Sequence, residues 1–288
     1  MHKKNIIWLA SYPKSGNTWF RAFLTNLLSN SDSPANINDL TETSISSSRK
    51  IFDEYTGLSS SDLTFDEIDQ MRPDVYRMQS QESDELLFKK VHDKYYQTDN
   101  KQALFPSDIS KGVVYFIRNP LDVLVSFAYH SSKPVEKMIS VISDSDYAFC
   151  DNTDRLQNQL RQNLGSWSDH VDSWTEQSNI PVHIIRYEDM INDTLKTFSK
   201  AVEFVGFKKT ELQIVKAIKK SDFSVLADQE MEDGFKEKMI KSKSFFRKGE
   251  IGDWQNYLDK NAINKIINKH SKVMLKYGYL DPNNKPIY

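Results

Sequence analysis

The sequence predicts an α/β fold, a three-layer α/β/α domain around a mainly parallel central sheet. Two observations carry that expectation. Short apolar runs rich in strand-favouring residues alternate with stretches whose apolar residues recur at helical spacing. The first such pair, Lys4 to Ser29, also encloses a tight polar turn, so it reads as strand, anion-binding loop and helix. The chain has 288 residues and no composition break, which predicts one domain spanning 1–288.

Ile6, Ile7, Trp8 and Leu9 form the nearly continuous apolar run of a strand buried on both faces. Pro13 stops it, and Gly16 supplies the position where backbone turns sharply or approaches a ligand closely. Trp19, Phe20, Phe23, Leu24, Leu27 and Leu28 then place a helix from about Asn17 or Thr18. Residues 30–49 are polar and aperiodic and read as a long loop, and 63–78 are helical in part. Residues 86–91 (LLFKKV) read as a second buried strand delivering His92 at its end. Residues 113–117 (VVYFI) run into Arg118-Asn119-Pro120, where Pro120 and Asp122 suit the first turn of a helix carrying Ser126. Residues 154–177 predict a long amphipathic helix with Leu156, Leu160, Leu164, Trp167, Val171 and Trp174 on one face. A strand over 181–187 and helical sequence over 188–204 follow. Residues 224–243 are charged and weakly periodic, a candidate mobile cover, and 262–277 form a last helix.

Composition narrows the function. The formal net charge is −2, so no global basic field for nucleic acid exists and any polyanion site must be local. The single cysteine, Cys150, precludes an internal disulfide, and no zinc-type cluster of Cys and His occurs. The apolar stretch after Lys3 and Lys4 is too short for a signal peptide, and no run approaches a membrane span. These features predict a soluble cytosolic protein without a structural metal.

The turn ASYPKSGNT offers helix-terminal amides, one cation at Lys14 and hydroxyls at Ser15 and Thr18, a favourable set for phosphate. It departs from GxxxxGK[ST], because its lone Gly16 follows the lysine. On residues alone, an ordinary surface turn and a phosphate loop both remain open. A P-loop kinase or NTPase is one reading of the second kind, and a nucleotide-sensing module without chemistry is another.

Three separated segments, YPKSGNTW, RNPLDVLVS and FRKGEIGDW, resemble in the right order the nucleotide-binding elements of the cytosolic-type sulfotransferases. These enzymes have a P-loop-NTPase-like fold and use 3′-phosphoadenosine 5′-phosphosulfate (PAPS). The resemblance spans most of the chain. It implies that Lys14, Ser15, Gly16, Asn17 and Thr18 cradle the 5′-phosphosulfate, with Trp19 at the edge of the adenine. It implies that Arg118 and Ser126 grip the 3′-phosphate together with Arg247, Lys248 and Gly249. Tyr187, Ser221 and Phe223 match adenine-side contacts. His92 matches the catalytic base, and Lys90 matches a lysine near the transferring group. The product is then 3′-phosphoadenosine 5′-phosphate (PAP), and no metal is required.

The chemistry supports that set. A multiply charged donor in a slightly acidic protein requires local cations, and charge-assisted hydrogen bonds contribute about 1.5–3 kcal/mol each. In-line transfer needs a proton acceptor, here His92, and a partner for the leaving oxygen, here Lys14. Asn17 replaces the Thr of many members. The sequence after GDW lacks a clear dimer motif, which leaves monomer and homodimer open. Glu82 and Glu85 are alternative bases, as in glycan-modifying relatives. The acceptor is expected to be a small hydroxylated or amine-bearing molecule rather than a glycan or peptide. Its pocket is expected from 30–84, 129–151 and 224–244, which contain Phe52, Tyr55, Tyr76, Tyr129, Tyr147 and Phe149.

Overall fold

A computed structural model describes residues 3–29, 31–40 and 43–288. The strands are β1 (Ile6–Ser11), β2 (Leu87–Val91), β3 (Ser110–Ile117), β4 (Ala148–Phe149), β5 (Gln162–Asn163) and β6 (Val182–Arg186). The helices are α1 (Asn17–Leu28), α2 (Arg49–Thr56), α3 (Phe65–Glu82), α4 (Pro120–Ser131), α5 (Val135–Ser143) and α6 (Trp167–Thr175). They continue as α7 (Tyr187–Asn192), α8 (Thr194–Phe204), α9 (Glu211–Lys220), α10 (Phe223–Asp233) and α11 (Lys260–Lys276). The central sheet is mainly parallel, has the order β2-β1-β3-β6 and is flanked by helices, as the alternation predicts. β1 and β2 pair in parallel, with Ile6 opposite Leu87 and Ala10 opposite Val91. Every residue of β1 is buried, which explains its lack of polar alternation.

The chain divides into two compact units. The first comprises 1–12, 42–115 and 145–184, and the second 13–41, 116–144 and 185–288. In the first, Trp8 is fully buried, donates to Ser110 Oγ at 2.7 Å and meets Tyr76 and Phe105 edge-on. A second cluster joins Phe52, Ile68, Val75 and Leu160. Phe52 and Tyr76, expected at the acceptor pocket, are therefore core residues, 1% exposed each. In the second unit, α1 contributes Phe20 and Phe23, which pack on Phe198 of α8.

The expected helix over 154–177 is corrected to Trp167–Thr175. Gly165 sits at φ 65°, and Ser166 with Asp169 forms a capping box that starts α6. Upstream, Gln162 and Asn163 pair with β4, and Leu156 is exposed. Leu160 and Leu164 are buried core residues outside any helix, so their helical spacing is accidental, whereas Trp167, Val171 and Trp174 are core residues on α6. Of the expected loop 30–49, Asn30, Thr41 and Glu42 lie outside the described residues. Ile45 bridges Lys90 in parallel, so the stretch around it runs alongside β2. The expected cover 224–243 begins as helix α10. Arg21 donates to Glu237 at 2.7 Å, Asn38 Nδ2 to Gly234 O at 2.9 Å, and the Phe245 and Phe246 amides to Glu230.

A buried ion pair organises the first unit. Arg72 of α3 donates both terminal nitrogens to Asp93, at 2.7 and 3.2 Å, and one also to Asp69. Breaking such a pair strands a charge away from water at about 3–5 kcal/mol. Arg72→Met is expected to lower the unfolding free energy by that amount, read as a shift of the urea midpoint at constant m-value.

Candidate active site

The chain leaves β1 through Pro13 into a turn whose conformation depends on two residues. Lys14 has φ 70° and Gly16 φ 98°, both in the left-handed region. At Gly16 a Cβ would lie 2.9 Å from Tyr187 Cδ2, so glycine is required twice over. Helix α1 then begins at Asn17 with no side-chain cap, and its first-turn amides have no intrahelical acceptors. Ser15 Oγ and Trp19 Nε1 are buried with no protein partner, an arrangement that suits a polar ligand held by the turn. The Lys14 ammonium lies 3.6 Å from the centre of the Phe245 ring. Thr18 is buried on the first turn beside Asn17.

Arg118 leaves β3 and closes on this turn. Its Nη1 donates to Lys14 O at 3.2 Å and its Nη2 to Glu250 O at 2.9 Å. The guanidinium stacks on Tyr187 at 4.1 Å, and its Nε is buried without a partner. Asn119 caps α4 by accepting from Leu121 N, and its own amide donates to Glu188 Oε1. Glu188 also accepts from Tyr279, and burial pushes its carboxyl up. Ser126 lies half-buried on α4.

The tail adds further cations within the second unit. Arg247 and Lys248 both donate to Asp253, Lys248 at 2.6 Å. Against the opposing effect of burial, Lys248, Arg247 and Asn256 hold the Asp253 carboxyl below the usual range. Arg247 lies 4.5 Å from the Tyr129 ring and 5.4 Å from Tyr257. Gly249 has φ 71°, and a Cβ there would meet Phe223 Cδ2 at 2.7 Å. Ser221 is fully buried, and its hydroxyl bonds the carbonyls of Ala217 and Ile218. Every residue expected to bind the donor therefore falls in the second unit.

Asp122 was read from sequence only as a favourable charge at a helix start, but it does more. Its carboxylate accepts the amides of Gly252 at 2.9 Å and Trp254 at 3.0 Å, which fixes the FRKGEIGDW loop on α4. Burial pushes this carboxyl up despite Arg118 and the two amides. Its separation of 130 residues from Gly252 left no local signal. Asp253 and Glu230 were also missed, although the partners of Asp253 are only five and six residues away.

In the first unit, His92 follows β2 and its Nδ1 lies 2.9 Å from Ser11 O. A carbonyl only accepts, so Nδ1 carries a proton, and the neutral ring then has its lone pair on Nε2. Lys90 is buried on β2, and its backbone amide donates to Ser44 O. Its neighbour Lys89 is pushed down to about 8 by burial and donates to Ser44 Oγ. Glu82 accepts from Tyr55 OH at 2.6 Å, and it and Glu85 precede β2 whereas His92 follows it. Five extended residues span about 16 Å, so these carboxylates and His92 serve opposite ends of the strand. His170 of α6 is fully buried and accepts or donates at both nitrogens, to Tyr115 OH at 2.8 Å and His92 O at 3.1 Å. Burial pushes its pKa down to about 3.

Among the described residues no group of three or more His, Cys, Asp or Glu is arranged to hold a metal ion, and no helix is long and apolar enough to cross a membrane.

A turn at the end of β1, an uncapped helix start and nearby cations on Lys14 and Arg118 make up the kind of arrangement that suits an anion on an α/β scaffold. The chain belongs to the sulfotransferase domain family, whose model matches residues 4–278. It is 25% identical over 275 residues to flavonol 3-sulfotransferase of Flaveria bidentis, covering 91% of this chain and 79% of that one. It is 29% identical over 280 residues to cytosolic sulfotransferase 1 of Arabidopsis thaliana, covering 90% and 76%. Among solved structures, mouse sulfotransferase SULT7A1 complexed with PAP aligns with a TM-score of 0.59 at 20% identity, over 95% of this chain and 85% of that one. Retinol dehydratase in complex with androsterone and inactive cofactor PAP aligns at 0.61 and 19%, over 98% and 84%. These structural likenesses are likenesses of fold.

Two outcomes are expected. Asp122→Ala leaves the buried Trp254 amide without its acceptor at about 1–3 kcal/mol and frees the part-buried Gly252 amide, so both should exchange with deuterium faster while those of α11 hold. His170 stays neutral in the fold while its unfolded form takes a proton below about 6.5, so acidification from pH 7 removes stability at about 1.4 kcal/mol per unit. His170→Gln should lose correspondingly less between pH 6.5 and 4.5, measured by urea unfolding.

Proposed function

We propose that this chain moves a sulfuryl group from PAPS to a hydroxyl or amine of a small-molecule acceptor, releasing PAP. The observation that carries the reading is the cradle around Arg118. There the turn carbonyl of Lys14, the tail carbonyl of Glu250 and the Tyr187 ring converge on one guanidinium, beside the buried and unpartnered Ser15 Oγ, Trp19 Nε1 and Arg118 Nε. Membership of the sulfotransferase family over 4–278 supports it, and the match runs through both compact units, which supports treating 1–288 as one catalytic domain.

When bound, the donor supplies an activated sulfuryl group on a phosphate leaving group. The turn Lys14, Ser15, Gly16, Asn17 and Thr18 binds its 5′ end through the amides of α1, the hydroxyls and the Lys14 ammonium. Arg118, Ser126, Arg247, Lys248 and Gly249 bind the 3′-phosphate, with Asp253 exchanging its two cations to the incoming anion. Trp19, Tyr187, Ser221 and Phe223 receive the adenine. His92 takes the acceptor's proton at Nε2, the nitrogen that its bond to Ser11 leaves with the lone pair. Lys14 and Lys90 stabilise charge on the leaving oxygen and the transferring group. The scheme draws its positive charge from side chains.

The named relatives include enzymes for a flavonol, and one solved neighbour holds androsterone, which supports a hydroxylated ring compound as the acceptor class over a glycan or peptide. The same relatives, one of which is a cytosolic sulfotransferase, support a cytoplasmic location. Monomer and homodimer both suit the scheme.

Calorimetric titration should give PAP at least tenfold tighter than ATP with magnesium; equal affinities would favour a kinase or NTPase. Arg247→Ala should weaken PAP and leave 5′-adenosine phosphosulfate, which lacks the 3′-phosphate, unaffected. His92→Ala should lower turnover by about 10²–10⁴ with PAP affinity intact, and near-normal turnover would remove His92 as the base.

A further inference from the structure

The backbone that carries His92 is held by more polar contacts than packing requires. His92 O accepts from His170 Nε2 at 3.1 Å. Next to it, Asp93 O accepts from Trp174 Nε1 at 2.9 Å, and the Asp93 carboxylate takes two nitrogens of Arg72. His170 and Trp174 stand four residues apart on α6, on one helix face, so a single helix grips two consecutive carbonyls.

The tautomer of His170 follows from its partners. The His92 carbonyl only accepts, so Nε2 carries the proton; a neutral imidazole has one N–H, so Nδ1 accepts from the Tyr115 hydroxyl at 2.8 Å. Burial keeps the ring neutral through the physiological range, so this arrangement does not titrate away during turnover. The ring is enclosed: Tyr12 meets it edge-on at 5.5 Å and Tyr115 lies against it at 5.8 Å. A core that needed only volume here would be served by leucine or phenylalanine, without the cost of satisfying two ring nitrogens.

We propose that His170 is a positioning residue for His92: its Nε2–H fixes the His92 carbonyl, so that the His92 ring keeps its Nδ1–H on Ser11 O and presents Nε2 for proton transfer. The catalytic part of this inference rests on His92 being the base; the geometric part does not. In the relay, Tyr115 orients His170, His170 holds the backbone of His92, and Ser11 holds its ring.

The test uses the full chain and compares His170→Leu, which removes the donor, with His170→Gln, whose amide can reach the same carbonyl. With PAPS and 4-nitrophenol as the acceptor probe, His170→Leu should lose about 10- to 100-fold in kcat, the scale of a misplacement near 1 Å, while PAP affinity stays within about twofold. His170→Gln should stay within about threefold of the parent. Equal kcat for the two variants overturns the proposal. A second measurement needs no acceptor: long-range 1H–15N spectra of the imidazoles should show His92 protonated at Nδ1 in the parent and a tautomer mixture in His170→Leu. If His170→Leu does not fold, Tyr115→Phe takes its place, with the same shift toward a mixture expected. An unchanged Nδ1–H signal overturns the proposal. Normal turnover in His92→Ala would instead refute the base assignment and leave the tautomer result standing.

Discussion

The guanidinium of Arg118 is the contact on which the turn after β1 and the tail loop both depend. It is 8% exposed and satisfies itself on two carbonyls that come from segments far apart in sequence, Lys14 and Glu250, while its face rests on Tyr187. Lysine could not do this, because the task needs a planar fork with donors pointing in two directions and a face to stack. The turn at Lys14 is held in the left-handed region partly by that bond. The tail loop is held by it together with Asp122, so both segments converge on one charge. Behind the guanidinium, Asn119 and Glu188 tie the start of α4 to the start of α7.

In a protein of net charge −2 the cations of the tail loop are held individually. Here Asp253 keeps Arg247 and Lys248 ordered, and two tyrosine rings confine Arg247. The side-chain entropy of two long cations is then spent on folding rather than on binding. In the proposed function, an arriving phosphate exchanges with a carboxylate that already occupies the anion's place, which favours a doubly charged terminal phosphate over a weaker acceptor. The two glycines that matter most, Gly16 and Gly249, make the same point sterically: each lies so close to an aromatic ring that a methyl group would displace it.

The chemistry proposed for His92 draws on a different kind of support. Its ring is oriented by a carbonyl at the end of β1 and its backbone by a buried histidine on α6, so the strand ends and one helix jointly define where its Nε2 points. The Arg72–Asp93 pair anchors the following residue. Buried polar groups of this density cost stability unless each is satisfied, and their value lies in fixing one geometry.

The sequence by itself determined the α/β class, the strands around Ile6, Leu87, Val113 and Val182, the start of α1 at Asn17 and the helix after Pro120, because each is written in local periodicity and in a proline or glycine at the boundary. It also showed the family, through three segments that each keep a recognisable local pattern. The tertiary structure decided what depends on contacts distant in sequence. Leu156 and Leu160 continue a helical spacing yet belong to exposed loop and core cluster, because the β4–β5 pairing and Gly165 delay the helix until Trp167. Phe52 and Tyr76 became core rather than pocket once α2 and α3 folded over β1 and β2. Asp122 and His170 acquired their partners only in three dimensions: a carboxylate or imidazole acts through the atom it reaches, and spacing along the chain does not say which atom that is.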